Sequence, residues 1–300
     1  MLLQTGVPQF VVNGLLVGAI FATVAVGFAL IWGVVGIINL AHGEMMMVGG
    51  YVGYFAFRSL AGSDGSILAL LATVPVAALV LYVVGYLLQR LLVTRVAEAD
   101  LFLTLLVTFG ISIFLQQAVL QLFTANARTI SVTFADPSLV LAGLIVPKVK
   151  AVSFVGALLL TAAAFAFLRY TRRGRAIRAV SQNPEAARLV GIDVAHTRAV
   201  TFGLSAAIAG GAGVFVAALI GVKPQMGLAY TLKSFVIVVF GGVGSIPGAL
   251  VGGLLLGTVE ELTAGLLSSQ LTLAVTFSLL VVLLIVKPKG LFGRSVEEAG

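Results

Sequence analysis

Residues 10–32 read FVVNGLLVGAIFATVAVGFALIW, with no charged side chain and no proline. An α-helix rises about 1.5 Å per residue, so a run of this length reaches across a hydrocarbon layer about 30 Å thick. The pattern recurs along the chain, at about 40–58, 66–89, 100–123, 151–169, 199–221, 227–241, 245–264 and 269–286. Of the 300 residues, 60% are hydrophobic and 10% charged, where a soluble domain carries about 25% charge. The short alternating segments of a β-barrel are absent. The expected fold is all-α: a polytopic transmembrane bundle of eight or nine spans, one domain over residues 1–300. The run 227–241 is short for a span and is expected to be tilted, broken or re-entrant, which leaves both counts open. Met1 to Gln9 has no basic n-region and no small-residue cleavage site, so the first apolar run is expected to be retained.

The net charge of +7 could suggest nucleic acid, but the basic residues sit in short loops between apolar runs and report orientation instead. Arg90 and Arg95 share one loop. Arg169, Arg172, Arg173, Arg175, Arg178, Arg188 and Arg198 share another, and Lys287, Lys289 and Arg294 follow the last run. All three groups are expected on the cytoplasmic side. Nine spans then put the N-terminus outside and the C-terminus inside. The loop at about 124–150 faces outward, with a turn at Asp136-Pro137-Ser138.

Glycines four apart, such as Gly14 and Gly18, Gly49 and Gly53, Gly248 and Gly252, and Gly253 and Gly257, let helices approach closely in lipid. Gly241-Gly242-Val243-Gly244-Ser245-Ile246-Pro247-Gly248 cannot sustain a helix and reads as a break between two runs. A second Gly-rich break lies at Gly33 to Gly43. Paired breaks in two halves point to a transport pathway, although no sequence repeat is evident.

The chemistry available is limited. There is no cysteine and there are two histidines, His42 and His196, so no metal site and no cofactor are expected. No Gly-x-x-x-x-Gly-Lys-Ser/Thr loop and no Gly-x-Ser-x-Gly elbow occurs. An enzyme is disfavoured, and any ATPase must be another chain. Asn39-Leu40-Ala41-His42-Gly43-Glu44 is an ionisable cluster near membrane depth. It reads either as a helix start, with Asn39 as cap and Glu44 in the first turn, or as part of a pathway or gate. Gly241, Gly242, Gly244 and Pro247 are further pathway or gate candidates. Lys233 is expected to snorkel to the outer surface. Glu260 and Glu261 are expected to be interfacial and outward-facing. In the arginine-rich segment, Asn183 caps a short helix with Pro184 and Glu185 in its first turn. It runs to about Leu189, Gly191 ends it, and Ala186 and Ala187 offer a small, smooth face. An ordinary basic topology loop is the alternative.

Glu185-Ala186-Ala187-x-x-x-Gly191 resembles the loop by which permease subunits of bacterial ABC importers dock on their cytoplasmic ATPase. Four further stretches resemble the branched-chain amino acid permeases of the Liv type. They are Ile37 to Glu44, Gly174-Arg175-Ala176-Ile177-Arg178-Ala179, Lys233-Ser234-Phe235 leading to Gly241 through Ala249, and Lys287 to Gly293. They follow family order and cover nearly the whole chain. The usual Ile-x-Leu-Pro after the docking loop is replaced by Thr201-Phe202-Gly203-Leu204. The resemblance implies a multi-pass protein of the bacterial inner membrane with a coupling loop at about 170–198. It further implies two cytoplasmic ATPase subunits, a second homologous permease and a periplasmic substrate-binding protein as partners. Substrates in related systems include leucine, isoleucine and valine, but also urea, short amides and other amino acids. A stand-alone channel or secondary carrier is the rival of another class.

Overall fold

The computed structural model describes residues 2–62, 65–95, 101–134, 137–141, 143–287 and 290–291. The elements in chain order are α1 Leu2–Val35, α2 His42–Ala61, α3 Ile67–Leu91, α4 Leu101–Phe123, β1 Ser138–Leu141, β2 Leu144–Pro147, α5 Lys148–Tyr170, α6 Arg172–Gln182, α7 Pro184–Leu189, α8 Val194–Leu219, α9 Gly227–Gly241, α10 Ile246–Leu266 and α11 Thr272–Val286. Short polar residues start several of these helices by accepting an otherwise unpartnered N–H. Ser66 Oγ accepts from Ala69 N at 3.3 Å, Asp193 Oδ1 from His196 N at 2.9 Å and Ser245 Oγ from Gly248 N at 3.1 Å.

Every expected span has its helix, but they are not equivalent. Among the described residues, seven are long and apolar enough to cross a membrane: Gly6–Val35, Ile67–Arg95, Phe102–Phe123, Lys148–Tyr170, Val194–Leu219, Ile246–Leu266 and Ser269–Val286. The other two are α2 and α9. Helix α9 has only 15 residues, and α2 dilutes its apolar content with His42, Glu44, Arg58 and several glycines. Both begin inside the bundle. His42, the first residue of α2, meets Val24 in the middle of α1. Gly43 then abuts Gly227, the first residue of α9.

Two helix pairs organise the packing. Gly14 and Gly18 of α1 press against the backbone of Gly253, Leu254, Gly257 and Thr258 of α10. Gly203 and Gly210 of α8 press against Tyr82, Leu81 and Ala77 of α3. In each case the missing Cβ is what allows backbones to touch, the main source of helix association in lipid. Exchanging α1 with α8, α2 with α9 and α3 with α10 maps one set of contacts onto the other. Because α1 and α8 run antiparallel, this is an inverted repeat. The anticipated pairing of breaks is therefore corrected. The counterpart of Gly33 to Gly43, which leads into α2, is residues 220–226, which lead into α9. Gly241 to Gly248 is the turn from α9 to α10, and its counterpart lies between α2 and α3. Gly33 and Gly244 nevertheless touch, so the first break starts at the end of the bundle where the second lies.

That end also carries α6 and α7. Arg178 donates to the Leu168 carbonyl and, at 3.5 Å, to that of Arg169, closing the C-terminus of α5. Gly174 sits on the Phe167 and Leu168 carbonyls where a side chain has no room. The opposite end departs from an all-α fold. Strands β1 and β2 pair antiparallel, Ser138 opposite Pro147 and Leu141 opposite Leu144, with Gly143 at φ +81° supplying the turn. Gln9 pins this hairpin to α1 by donating to the Ile145 carbonyl at 2.7 Å and accepting from its N–H at 2.9 Å. Asp136 of the anticipated turn lies outside the described residues, as do Pro288, Lys289 and Phe292 to Gly293 of the last family-like stretch.

Candidate functional site

The anticipated pathway residues separate into two groups. Asn39, His42 and Glu44 lie buried at mid-bundle, where the N-termini of α2 and α9 meet. The His42 Nε2 is 2.8 Å from the Val24 carbonyl. A carbonyl can only accept, so Nε2 carries the proton there. Nδ1 faces Ser205 Oγ at 3.5 Å, and that hydroxyl donates to the Gly27 carbonyl at 2.7 Å. His42 thus ties α2 to α1, and Ser205 ties α8 to α1 beside it. The Thr231 hydroxyl joins α9 to the same knot. It accepts from Gly43 N at 2.8 Å and lies 3.3 Å from the Leu40 carbonyl.

Glu44 is in the first turn of α2, but its carboxylate serves a different helix. It fills the space a side chain on Gly227 would take, beside the Leu228 backbone at the start of α9. Ser112 Oγ of α4 donates to Oε1 at 3.3 Å, while Oε2 is buried with no hydrogen-bond partner. The positive end of α9 is the favourable surrounding for it. Asn39 does not cap α2. Its Oδ1 accepts from Ala41 N at 3.0 Å, two residues on, and Ala41 itself precedes the helix. His42→Ala is expected to destabilise the chain by about 2–4 kcal/mol, through a buried void and a lost cross-link. Glu44→Gln, which keeps the shape, should cost about 1 kcal/mol. Thermal melts of the purified protein measure both.

Gly241, Gly242, Gly244 and Pro247 form the second group. Helix α9 ends at Gly241, and Gly242 and Gly244 adopt φ +94° and +78°. Gly244 and Pro247 line a cleft of about 540 Å³ with Gly33 of α1, Phe165 and Arg169 of α5 and Arg178 of α6. The docking-loop residues lie at this same end. Asn183 Oδ1 accepts from Glu185 N and Ala186 N at 3.0 and 2.9 Å, capping α7 as its sequence requires. Gly191, at φ +82°, turns the chain out of α7. Glu185 and Ala186 are exposed, whereas Ala187 is buried against Val180 and Val194. The outer face is therefore not an alanine pair. It continues into Leu189 and Val190, which are 88% and 76% exposed.

A family model described as branched-chain amino acid transport system / permease component matches residues 10–286. The chain belongs to this permease family. It is 34% identical to a high-affinity branched-chain amino acid transport system permease protein, BraD, of Pseudomonas aeruginosa, over 97% of each chain. It is 35% identical to the corresponding LivH protein of Salmonella typhimurium, over 97% of this chain and 96% of that one. The LivH protein of Escherichia coli K12 is 34% identical over the same shares. Members of this permease family are transporter subunits, not enzymes.

Two of the expected placements, those of Lys233 and Glu260, do not hold. Lys233 does not snorkel, and Glu260 does not face outward. They pair with each other inside the bundle, Nζ to Oε2 at 2.6 Å. They are 27 positions apart, a separation that no helical period connects. Ser112, Ser205 and Thr231 were not singled out at all. Hydroxyls are common in apolar helices, where they bond back to their own backbone, so composition gives no sign of which ones cross between helices.

Proposed function

We propose that this chain is one of two homologous permease subunits of an ATP-binding cassette importer for branched-chain amino acids in the bacterial inner membrane. In this reading a periplasmic binding protein delivers substrate and two cytoplasmic ATPase subunits drive transport. The count of nine membrane segments includes α2 and α9, which begin at mid-bundle. The α6–α7 end faces the cytoplasm and the hairpin end faces the periplasm, with the N-terminus outside and the C-terminus inside. The arginine-rich segment favours this orientation.

One observation carries the docking assignment. Helix α7 presents Glu185 and Ala186 beside bare Leu189 and Val190 on an otherwise basic loop, and the chain has no nucleotide loop of its own. Exposed apolar side chains beside polar ones mark a protein–protein contact. ATP-driven closure of the ATPase pair would push α7. Its support on α6, and the Arg178 link from α6 to α5, would carry that push to the spans. The Asn39–Glu44 junction and the Gly241–Pro247 turn are the elements such a push would rearrange.

The test is purification of the tagged chain from its native membranes in mild detergent. ATPase chains, a second permease and ATP-dependent uptake of leucine, isoleucine or valine in proteoliposomes are expected together. Uptake by the chain alone, without ATP, would overturn the reading in favour of a carrier or channel.

A further inference from the structure

The Lys233–Glu260 pair is costly where it lies. Removing two charges from water is repaid only by good geometry and further hydrogen bonds, and an apolar pair of similar volume often does as well. Ionisable groups within membrane segments are accordingly rare and functional by default. Here the supporting contacts are present. Thr276 Oγ1 of α11 donates to Glu260 Oε1 at 3.3 Å, and Lys233 Nζ lies 4.4 Å from the centre of the Phe21 ring of α1.

The pair is also not sealed into the packing. It forms the polar wall of a cavity of about 290 Å³ between α1, α8, α9 and α10, reaching Lys150 and Thr272 at the hairpin end. Much of the remaining lining is apolar, including Val17, Ile20 and Val216. Pockets for drug-sized ligands run from about 300 to 1,000 Å³, so this one suits a smaller guest. The charged lining is balanced, Lys150 and Lys233 against Glu260 and Glu261, and the cation and anion that meet at 2.6 Å, Lys233 and Glu260, are complementary to a small molecule bearing both charges on adjacent groups and an aliphatic tail.

We propose that this cavity binds one aliphatic amino acid as its zwitterion, with Lys233 taking the α-carboxylate and Glu260 the α-ammonium. The proposal rests on the importer reading above. The empty site satisfies itself by pairing Lys233 with Glu260, and the guest exchanges that bond for two of its own. Net charge in the cavity is unchanged by the exchange. A guest with a net charge would leave one uncompensated in a water-poor site, which is strongly unfavourable. Amino acids with charged side chains, and leucinamide, which lacks the carboxylate, are therefore excluded. The aliphatic wall receives the side chain.

The experiment uses the assembled transporter in nanodiscs. Binding of radiolabelled leucine is measured without the binding protein, and uptake is measured with it in proteoliposomes. K233M and E260Q each leave one buried charge unpaired and should weaken leucine binding about a hundredfold. The neutral double variant K233M/E260L separates structure from recognition. It should recover the thermal stability that the single variants lose, yet bind and transport leucine no better than they do. Wild-type binding and uptake by the double variant would overturn the proposal and reduce the pair to a structural link. Normal uptake by an assembled single variant would also overturn it. Neither result touches the importer reading, which fails if the wild-type complex takes up no aliphatic amino acid or if the chain alone takes it up without ATP.

Discussion

Gly43→Val is expected to abolish assembly of this permease. A Cβ built on Gly43 falls onto the Gly227 carbonyl oxygen and within 2.7 Å of Thr231 Oγ1. The obstacle is backbone at the first turn of α9, which cannot swing aside as a side chain would. Relief requires moving α2 or α9 as a whole. Helix α2 is held by Gly49 and Gly50 against the backbone of Gly210 and Gly213 of α8. Helix α9 is held by Gly241 against Gly248. Overpacking in a filled core costs about 1–3 kcal/mol when side chains can adjust, and more is expected where they cannot. Gly43→Ala already carries the colliding atom and should be severe. Gly110→Ala is the control, because nothing lies within 4 Å of its Cβ position. It should be neutral or slightly stabilising, as an exposed helical glycine-to-alanine change is. Size-exclusion profiles of fluorescently tagged variants, followed by leucine uptake, measure the difference. A Gly43→Val protein that assembles and transports normally would mean that α2 and α9 do not meet there.

The same contact explains what the sequence could and could not reveal. Apolar runs located the nine long helices of the bundle, because burial in lipid demands about 20 consecutive apolar residues regardless of partner, but gave no sign of α6. The run 227–241 was recognisably too short, and its helix has those very limits. Cap chemistry is local, so Asn183, Pro184 and Gly191 predicted α7 correctly. The depth at which α2 begins was not legible. It depends on the chain doubling back after Val35 until His42 reaches Val24, which no local pattern encodes. The inverted repeat was missed for a related reason. Its two halves share packing, α1 on α10 and α8 on α3, without sharing sequence, and the Gly-rich stretches most alike to the eye are not counterparts. Charge was misread at Lys233 and Glu260 because each, taken singly, is best satisfied at an interface. Only the fold brings them together.

The hairpin is a smaller instance. Val140, Ile145 and Val146 are β-branched, as strand residues often are, but the segment is short and lies in a loop. Its order comes from Gln9, on a different element, which occupies both backbone groups of Ile145.

Substitution of Gly191 is expected to weaken docking of the ATPase, and with it substrate-stimulated ATP hydrolysis and uptake, while leaving the permease folded. Gly191 follows α7 with φ +82°, and its N–H closes the helix by donating to the Arg188 carbonyl at 3.0 Å. A Cβ there meets nothing within 4 Å, so the permease itself has room for a side chain. Leucine at this position bears the left-handed backbone penalty of about 1–2 kcal/mol, whereas asparagine tolerates that conformation. Both would project new atoms beside Leu189 and Val190, the surface proposed to seat in the ATPase. Loss of packing at such a contact is worth about 2 kcal/mol or more, roughly thirtyfold or more in docking strength. Gly191→Asn and Gly191→Leu should therefore both depress substrate-stimulated ATP hydrolysis and uptake severely, with Gly191→Asn melting as wild type does. Activity lost in the leucine variant alone would assign Gly191 to backbone geometry. Full coupling in both variants would remove α7 as the lever. The asparagine variant decides between these readings because it adds bulk at the surface with little added backbone strain.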